Sequence, residues 1–390
     1  MTRSNDSDHV HSISRRCFLG TSAALTFAAL PELALGQQAT ETRLLVILMR
    51  GGMDGLFAMP PVGDKTLDSL RKNLRVENVQ NLDGFFALHE TLQNVHRAYA
   101  DNQALLVHGA SLPYTGRSHF EGQDIMESGV MRPYASPTGW LGRALDLTGY
   151  SAAITMTLPV PLILRGKKTS DTFYPTWISR VPRDLYDKLL PAWDADPDLA
   201  RFGAQLKAQG ASLSMTPDIR PGEDNSIVEL AKSAADRLKI EDGPRIAVLD
   251  HVGFDTHASQ PGMHADKLRD IDDAIGAFRD RMGPAWKNSL VVTVTEFGRT
   301  AAENGSWGTD HGYGTAIFVI GGKLKKSGIV ADWPGLKKSE LFESRDLKAT
   351  IDARALYGKI VSSALGIEPE RVRKEVMEHD ESALFDPYLG

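Results

Sequence analysis

The sequence contains only one cysteine, Cys17, among 390 residues. It therefore cannot form an internal disulfide, and a metal site in this chain would have to use oxygen and nitrogen ligands. After residue 36 there is no apolar run long enough for export or for spanning a bilayer, and no fixed-period repeat is visible. An excess of positive charge is also missing, since the formal net charge is −6. This charge argues against a nucleic-acid or anionic-membrane partner.

Residues 1–36 have the pattern of an export signal. Arg15 and Arg16 precede a short uncharged run at 17–30, and small residues follow where a peptidase cuts. We predict a twin-arginine signal peptide, a mature chain starting near Gln37 without a membrane span, and a periplasmic or extracellular location. A basic cytosolic start that happens to resemble a signal is the alternative. The twin-arginine export machinery usually carries folded proteins, often with a cofactor inserted, which favours a metal site.

Five short runs rich in Val, Ile and Leu predict β-strands. Their apolarity is continuous rather than alternating, which is typical of strands covered on both faces. Amphipathic helical patterns lie between or after them, at 226–240, 265–282 and 353–365. This alternation predicts an α/β fold with a doubly wound, mostly parallel sheet. The strand-like runs are 43–49, 104–110, 245–252, 290–297 and 315–322.

Residues 37–390 are predicted to form one α/β domain. Within it, residues 149–222 fit the alternation poorly, because eight prolines interrupt their apolar and aromatic patches. We interpret this segment as an insertion or cap over one edge of the sheet. A substrate lid and an irregular structural excursion without a role in binding are both consistent with its composition.

Ligand-type side chains cluster where the predicted strands begin or end. Ligands of open α/β sheets bind outside the carboxyl ends of the strands, so these side chains are expected to lie at one edge. Mixed oxygen and nitrogen donors suit a divalent metal such as zinc or manganese. Capping of a turn by Asp54 and ordinary loop hydrogen bonds are the alternatives. The candidate metal ligands are Asp54, Asp255, His257, Glu296, Asp310 and His311.

A second group of candidates lies in "GRSHFEGQD", residues 116–124. Ser118 precedes a helix-like pattern, and a helix N-terminus there favours an anionic group such as phosphate or sulfate. Ser118 and Glu121 also match a capping box, a structural role that needs no chemistry. Arg117, His119 and Arg299 are cations that can hold an oxyanion.

These motifs together resemble a bacterial family catalogued as domain of unknown function 1501. The resemblance rests on the twin-arginine start and on "LMRGGMDGL", "GRSHFEGQDIMESG", "GWLGRAL", "GFDTHASQ" and "TEFGRTAAENGSWGTDHGYG", in that order. That family is itself similar to the alkaline phosphatase superfamily, which includes sulfatases. The resemblance thus implies an alkaline-phosphatase-like fold that binds divalent metal.

By this resemblance, Asp54 corresponds to the first metal-binding aspartate and Ser118 to the nucleophile. Asp255 and His257 resemble an Asp and His pair, although two residues rather than four separate them. Glu296 and Phe297 stand where Asp-His-Gly would be. An alternative alignment puts the segment 310–312 on that motif, and position 297 cannot ligate a metal in either case.

The activity implied is metal-dependent hydrolysis of a small anionic ester, either a phosphate or a sulfate. Ser118 would be the nucleophile, and Arg117 or Arg299 would hold the remaining oxygens. The alternative is a catalytically degenerate metal-binding or ligand-binding envelope protein with the same fold.

Overall fold

The first apolar run forms the strand β1, Arg43–Arg50, whose residues are almost all buried. The structure is a computed structural model that describes residues 41–149, 153–173, 226–379 and 383–390. The predicted signal peptide lies outside the described residues, as does most of the predicted insertion. Both therefore stay predictions.

The described residues contain eleven strands and nine α-helices. The strands are β1 Arg43–Arg50, β2 Gln80–Asn81, β3 Ala87–Leu88, β4 Ala104–Ser111, β5 Ala153–Thr155, β6 Asp171–Thr172, β7 Ile246–Val252, β8 Ser289–Val294, β9 Thr315–Ile320, β10 Gly328–Ala331 and β11 Ile351–Asp352. The helices are α1 Gly55–Ala58, α2 Thr66–Leu70, α3 Gln93–Ala100, α4 His119–Ser128, α5 Trp140–Asp146, α6 Ile227–Leu238, α7 Gln260–Met282, α8 Ala353–Leu365 and α9 Pro369–Arg371. Short 3-10 helices cover Leu162–Leu164, Gly283–Asn288 and Ala383–Phe385, and a π-helical segment covers Val372–Val376.

One sheet contains nine of these strands in the order β10, β4, β9, β8, β1, β7, β5, β6, with β11 also paired to β4. Adjacent strands are parallel except that β9 runs antiparallel to both β4 and β8. The direction of β9 matters for the site. Because it is reversed, the residues that precede β9 reach the same edge as the residues that follow β1, β4, β7 and β8.

Both faces of the sheet are covered by helices. In β1, Leu44 and Val46 point into a cluster that includes residues of α4, α5 and α8. The alternate residues Leu45 and Ile47 point into a second cluster, with residues of α3, α6 and α7. Each fully buried aliphatic side chain of this kind contributes about 1.5–3 kcal/mol relative to an exposed one. The predicted α/β fold with a mostly parallel sheet is confirmed.

The long helices follow the sequence pattern closely. Helix α8 coincides with the prediction, and α6 falls within the predicted 226–240. Helix α7 begins five residues before the predicted start, and it buries Leu268, Ile271 and Phe278 along one face as expected.

Part of the segment predicted as an insertion is sheet. Strand β5 pairs in parallel with β7, and β6 pairs with β5 at the edge. Residues 174–222 lie outside the described residues, so a role for them as a cap stays a prediction. Among the helices that the structure describes, none has the length and apolarity needed to cross a membrane.

Candidate metal centre

The loops at one edge of the sheet bring several of the predicted residues together around Asp255. One carboxylate oxygen of Asp255, Oδ1, lies 2.9 Å from Nε2 of His257 and 3.1 Å from Nε2 of His311. Its Oδ2 lies 3.3 Å from Nε2 of His119. The two Nε2 atoms of His257 and His311 are themselves 3.1 Å apart. Three imidazoles therefore direct the same ring nitrogen toward one carboxylate.

The opposite nitrogen, Nδ1, of each imidazole is held by an oxygen. Nδ1 of His119 lies 2.8 Å from Oε1 of Glu296. Nδ1 of His257 lies 3.0 Å from Oδ1 of Asp310, and Nδ1 of His311 lies 2.8 Å from the backbone carbonyl oxygen of Arg117. Metal-binding histidines in proteins are commonly oriented in this way by a carboxylate or a carbonyl behind the ring.

A count of protons shows why this group fits a cation. Carboxylate and carbonyl oxygens only accept hydrogen bonds, so each Nδ1 must carry the proton that it donates. In a neutral imidazole, Nε2 then carries a lone pair and no proton. The Nε2 lone pairs of His119, His257 and His311 therefore face a carboxylate that has no proton to donate to them. Nε2 of His119 is buried and forms no hydrogen bond, although Oδ2 of Asp255 lies 3.3 Å away. A cation, or extra protons on the rings, would relieve this convergence of acceptors.

The spacing of the donors also fits a metal ion. One donor atom from each of His119, Asp255 and His311 lies within 4.8 Å of the other two. The direct contacts at Asp255 span 2.9–3.3 Å. Donors around a four-coordinate ion with bonds of about 2 Å are about 3.3 Å apart. His119, Asp255 and His311 can therefore hold a metal ion, and His257 lies close to two of them.

The pKa values reflect the charges in the group. The hydrogen bond to Glu296 raises the pKa of His119 above its ordinary value. Burial lowers the pKa of His311. Burial acts to raise the pKa of Asp255, but the hydrogen bond and charge of Arg299 outweigh it and hold that pKa below its ordinary value. The carboxylate is therefore ionised at neutral pH, as a metal ligand must be.

Two features of the sequence shape the walls of the group. Gly51 has a φ of +119°, and a Cβ there would lie 2.3 Å from the backbone nitrogen of Asp255. The glycine therefore lets the loop after β7 approach the end of β1. Phe297 is buried, and its ring centroid lies 5.0 Å from that of His119 and 5.1 Å from that of His311. It cannot ligate a metal, but it packs against two rings that can.

The structure places Glu296 and Asp310 behind the imidazoles, whereas the sequence predicted them as direct ligands. Oε1 of Glu296 also accepts hydrogen bonds from the backbone of Gly51 and the side chain of Gln123. Oδ1 of Asp310 also accepts from Asn304. We interpret both carboxylates as groups that orient ligand histidines.

Asp54 is not among the residues around Asp255. It caps α1, where its Oδ1 accepts hydrogen bonds from the backbone nitrogens of Leu56 and Phe57. Its Oδ2 lies 2.6 Å from both Arg71 and Gln260. Asp54 is 1% exposed, and its negative charge is balanced by the buried guanidinium of Arg71 rather than by the predicted metal ion. The contacts favour the capping role, which the sequence left open, over the predicted metal ligand.

Both arginines predicted to bind an oxyanion instead pair with carboxylates of the protein. The guanidinium of Arg117 bonds the carboxylates of Glu343 and Asp346. Arg299 is buried, and its NH1 donates to Asp255 Oδ1 at 2.7 Å. Its NH2 donates to the backbone carbonyl of Thr309. In place of the predicted role, we interpret Arg299 as a residue that positions Asp255, and Arg117 as one whose carbonyl positions His311.

Ser118 lies at the N-terminus of α4, as predicted, but its side chain makes no capping hydrogen bond. Glu121, the other member of the expected capping box, instead accepts a hydrogen bond from Tyr114 at 2.7 Å. The hydroxyl of Ser118 is therefore not used to cap the helix, and it lies one residue from the candidate ligand His119.

Sequence reasoning placed His119 among the cations and missed it as a candidate ligand. The signal was its position directly after Ser118, at the start of the helix that follows β4 at the same edge of the sheet. A histidine can serve either as a cation that holds an oxyanion or as a metal ligand, so the residue type alone did not decide between the two roles. Its partner Glu296 lies 177 positions away in the sequence, so only the fold reveals the pairing.

The described residues thus define an α/β protein with an open group of imidazoles and carboxylates, which are candidate metal ligands, at one edge of its sheet. The sequence model of a family described as "Protein of unknown function (DUF1501)" matches residues 203–374, somewhat less than half of the chain. No curated protein matches the chain in sequence.

Several solved structures are similar in fold at low identity. The crystal structure of Ps i-CgsB is 11% identical over 89% of this chain and 76% of that chain, with a TM-score of 0.45. A protein in the alkaline phosphatase superfamily from Vibrio parahaemolyticus is 12% identical over 73% and 61%, with a TM-score of 0.39. The lipoteichoic acid synthase LtaP from Listeria monocytogenes is 10% identical over 75% and 69%, with a TM-score of 0.41. At these values neither activity nor substrate carries over to this chain.

Proposed function

We propose that this protein is an exported metal-dependent hydrolase of phosphate or sulfate esters. The observation that carries the proposal is the convergence of three imidazole nitrogens on the carboxylate of Asp255. Asp255 and His257 are 41% and 45% exposed, so the group is open to solvent and to a small substrate. An open metal position is what distinguishes a catalytic site from a structural one.

His119, Asp255 and His311 would hold the metal and leave a fourth position open, and His257 lies beside them with its Nε2 3.1 Å from Nε2 of His311. Imidazole and carboxylate ligands suit zinc or manganese, and the donor set does not choose between them. A divalent ion bound there would polarise an ester oxygen and offset the negative charge of the phosphate or sulfate. Glu296, Asp310 and Arg299 would fix the directions of the ligands.

Ser118 is the proposed nucleophile. Its Oγ would bond to phosphorus or sulfur as the bond to the ester oxygen breaks, and the hydroxyl proton would leave with the released alcohol. Water would then cleave the seryl ester, which restores the hydroxyl and releases phosphate or sulfate. Two observations support this role: the hydroxyl is not used as a helix cap, and it adjoins the candidate ligand His119.

Export through the twin-arginine machinery is part of the proposal and is supported by the sequence around Arg15 and Arg16. In a bacterium with this machinery, expression of the full chain should yield the mature protein outside the cytoplasm. Replacing both arginines with lysine should retain it inside. Secretion of the double variant at the same level would contradict this part of the proposal.

The central experiment measures metal content and ester hydrolysis in the same preparation. The purified chain, loaded with Zn²⁺ or Mn²⁺, should hold about one ion and hydrolyse 4-nitrophenyl phosphate or 4-nitrophenyl sulfate. A chelator should remove the metal and abolish the hydrolysis. His119→Ala should lose metal, whereas His251→Ala is the matched control, because Nε2 of His251 pairs with Asp270 at 3.1 Å. Failure of the wild-type chain to retain either metal would overturn the proposal.

A second function is favoured by one observation. Arg117 and Arg299, the arginines predicted to hold an oxyanion, both form ion pairs with carboxylates of the protein. This arrangement suits a metal-binding or ligand-binding envelope protein that does not catalyse a reaction. Stoichiometric metal without turnover of either ester would favour this alternative.

A further inference from the structure

A cavity of about 440 Å³ lies beside the candidate metal centre. Its walls come from α2, from the loop between β8 and β9, and from the segment that follows β10. The volume is in the range of cavities that bind small organic ligands. The sequence did not indicate it, because its lining residues come from three distant parts of the chain.

Residues that hold two of the candidate ligands also line this cavity. Asp310 accepts a hydrogen bond from Nδ1 of His257, and Asn304 donates to the backbone carbonyl of the same histidine. Arg345 donates to the backbone carbonyl of His311. All three lining residues therefore lie one side chain away from the metal-binding group. The cavity thus adjoins two of the histidines whose Nε2 atoms face Asp255.

The chemistry of the lining indicates what kind of group fits. Leu70, Leu336 and Leu341 supply an apolar wall. Lys338 and Arg345 also line the cavity, and Arg345, which is 42% exposed, pairs with Asp346 at 3.3 Å. The lining acids Glu303 and Asp310 accept hydrogen bonds from Asn73 and from His257, respectively. The cavity thus offers an apolar wall, which suits a ring-containing or aliphatic group.

The wall near Arg345 is formed by a tight loop. Phe342 and Asp346 are bridged, and Glu343 and Ser344 between them adopt left-handed φ values of 50° and 56°. Such positions cost free energy in residues other than glycine and persist only where their surroundings fix them. Here Arg117 bonds the side chains of Glu343 and Asp346. The residue whose carbonyl orients His311 therefore also fixes this wall.

A larger cavity of about 510 Å³ lies on the other side of α2, and it serves as a comparison. Its lining includes the charged residues Asp64, Asp68 and Arg75, and Arg71 there is already paired with Asp54. It shares no residue with the contacts of the candidate ligand histidines. The smaller cavity is therefore the better candidate for a substrate.

We propose that the cavity beside the metal centre binds the apolar leaving group of the substrate. The substrate class is then an anionic ester of an aromatic or large aliphatic alcohol, rather than of a small polar alcohol. This inference rests on the proposed hydrolase function for its catalytic consequence. Binding of the released alcohol does not require catalysis, and it provides a separate test.

The test compares two variants that fill the cavity with a control. Leu341→Trp and the exposed-site variant Ala302→Trp should both weaken binding of 4-methylumbelliferone at least tenfold, measured by fluorescence titration. They should also raise KM for 4-methylumbelliferyl esters about tenfold and leave hydrolysis of ethyl esters unchanged. Leu67→Trp, on the same helix as Leu70 but lining the other cavity, is the matched control and should bind like wild type.

The outcomes separate the two proposals. If wild-type protein binds 4-methylumbelliferone, and both cavity variants lose it while no ester is hydrolysed, the cavity assignment stands and the hydrolase function fails. Equal binding by wild type and Ala302→Trp would overturn the cavity assignment, whatever the activity. Should Leu341→Trp fail to fold, Ala302→Trp decides alone, because its side chain is exposed.

Discussion

Nδ1 of His119 lies 2.8 Å from Oε1 of Glu296, a carboxylate that is fully buried. This pairing fixes the ring so that Nε2 points toward Asp255, and it sets which nitrogen carries the proton. A buried carboxylate behind a ligand histidine raises the basicity of the ligand and lowers the cost of orienting it.

The first prediction concerns this pair. Glu296→Gln should weaken metal binding about 10- to 100-fold, because the negative charge behind His119 is lost while the shape is kept. A chelator competition assay measures the change. Asp270→Asn is the matched control, since it removes a carboxylate from His251, an imidazole outside the candidate centre. Equal losses in both variants would show that the effect is not specific to the ligand.

The elements that depend on local pattern were predictable from the sequence. Helix α8 has the predicted bounds because its apolar period of 3.6 residues is sustained over its length. Strand β1 was predictable because both of its faces are buried, which gives a continuous apolar run. The direction of β9 was not predictable, because strand direction depends on partners that lie far away in the sequence.

The candidate site was predictable only in part. Asp255, His257 and His311 were recognisable from residue type and from their positions next to strands. Sequence position cannot show whether a carboxylate faces a metal or stands behind an imidazole, so Glu296 was assigned as a ligand. Asp54 was assigned in the same way, although the buried guanidinium of Arg71 pairs with it.

The second prediction separates stability from metal binding at Asp54. Asp54→Asn should lower the free energy of unfolding by about 3–5 kcal/mol, because it removes the only carboxylate paired with the buried charge of Arg71 among the described residues. The metal content of the folded protein should be unchanged. Chemical denaturation and metal analysis measure the two effects.

The exposed pair of Asp68 and Arg75 provides the control for this variant. Their contact is 3.8 Å long and both side chains are more than half exposed, so Asp68→Asn should change stability by less than about 1 kcal/mol. Loss of metal in Asp54→Asn with little loss of stability would restore the role of Asp54 as a ligand.

The third prediction tests the nucleophile. Ser118→Ala should abolish ester turnover and leave metal content unchanged, because the hydroxyl acts on the substrate in our proposal. Its free energy of unfolding should also stay within about 0.5 kcal/mol of wild type, since the hydroxyl makes no capping hydrogen bond. A true cap would cost about 1 kcal/mol. Thr115→Ala, which removes an exposed hydroxyl three residues earlier, is the control and should retain activity. Full activity in Ser118→Ala would leave water as the nucleophile.

The fourth prediction concerns acid stability and a buried histidine that is not among the candidate ligands. His108 lies in β4 with no exposed surface, and it stacks on Phe86 with ring centroids 5.2 Å apart. Burial lowers the pKa of His108 from 6.5 to about 4. Its Nδ1 accepts a hydrogen bond from the backbone nitrogen of Gly109, so the proton of the neutral ring is on Nε2.

The sign of the effect follows from this lowered pKa. Between pH 6.5 and pH 4 the unfolded chain takes up a proton at His108 while the folded protein does not, so stability falls as the pH falls. From pH 7.5 to pH 5 this histidine alone should cost about 2 kcal/mol. His108→Gln and His108→Leu should both reduce the loss of stability over this interval by about that amount, even if they lower stability at pH 7.5. Urea denaturation at the two pH values measures the difference. Parallel losses in wild type and both variants would mean that His108 takes up its proton in the folded state at an ordinary pH, which its burial in β4 argues against.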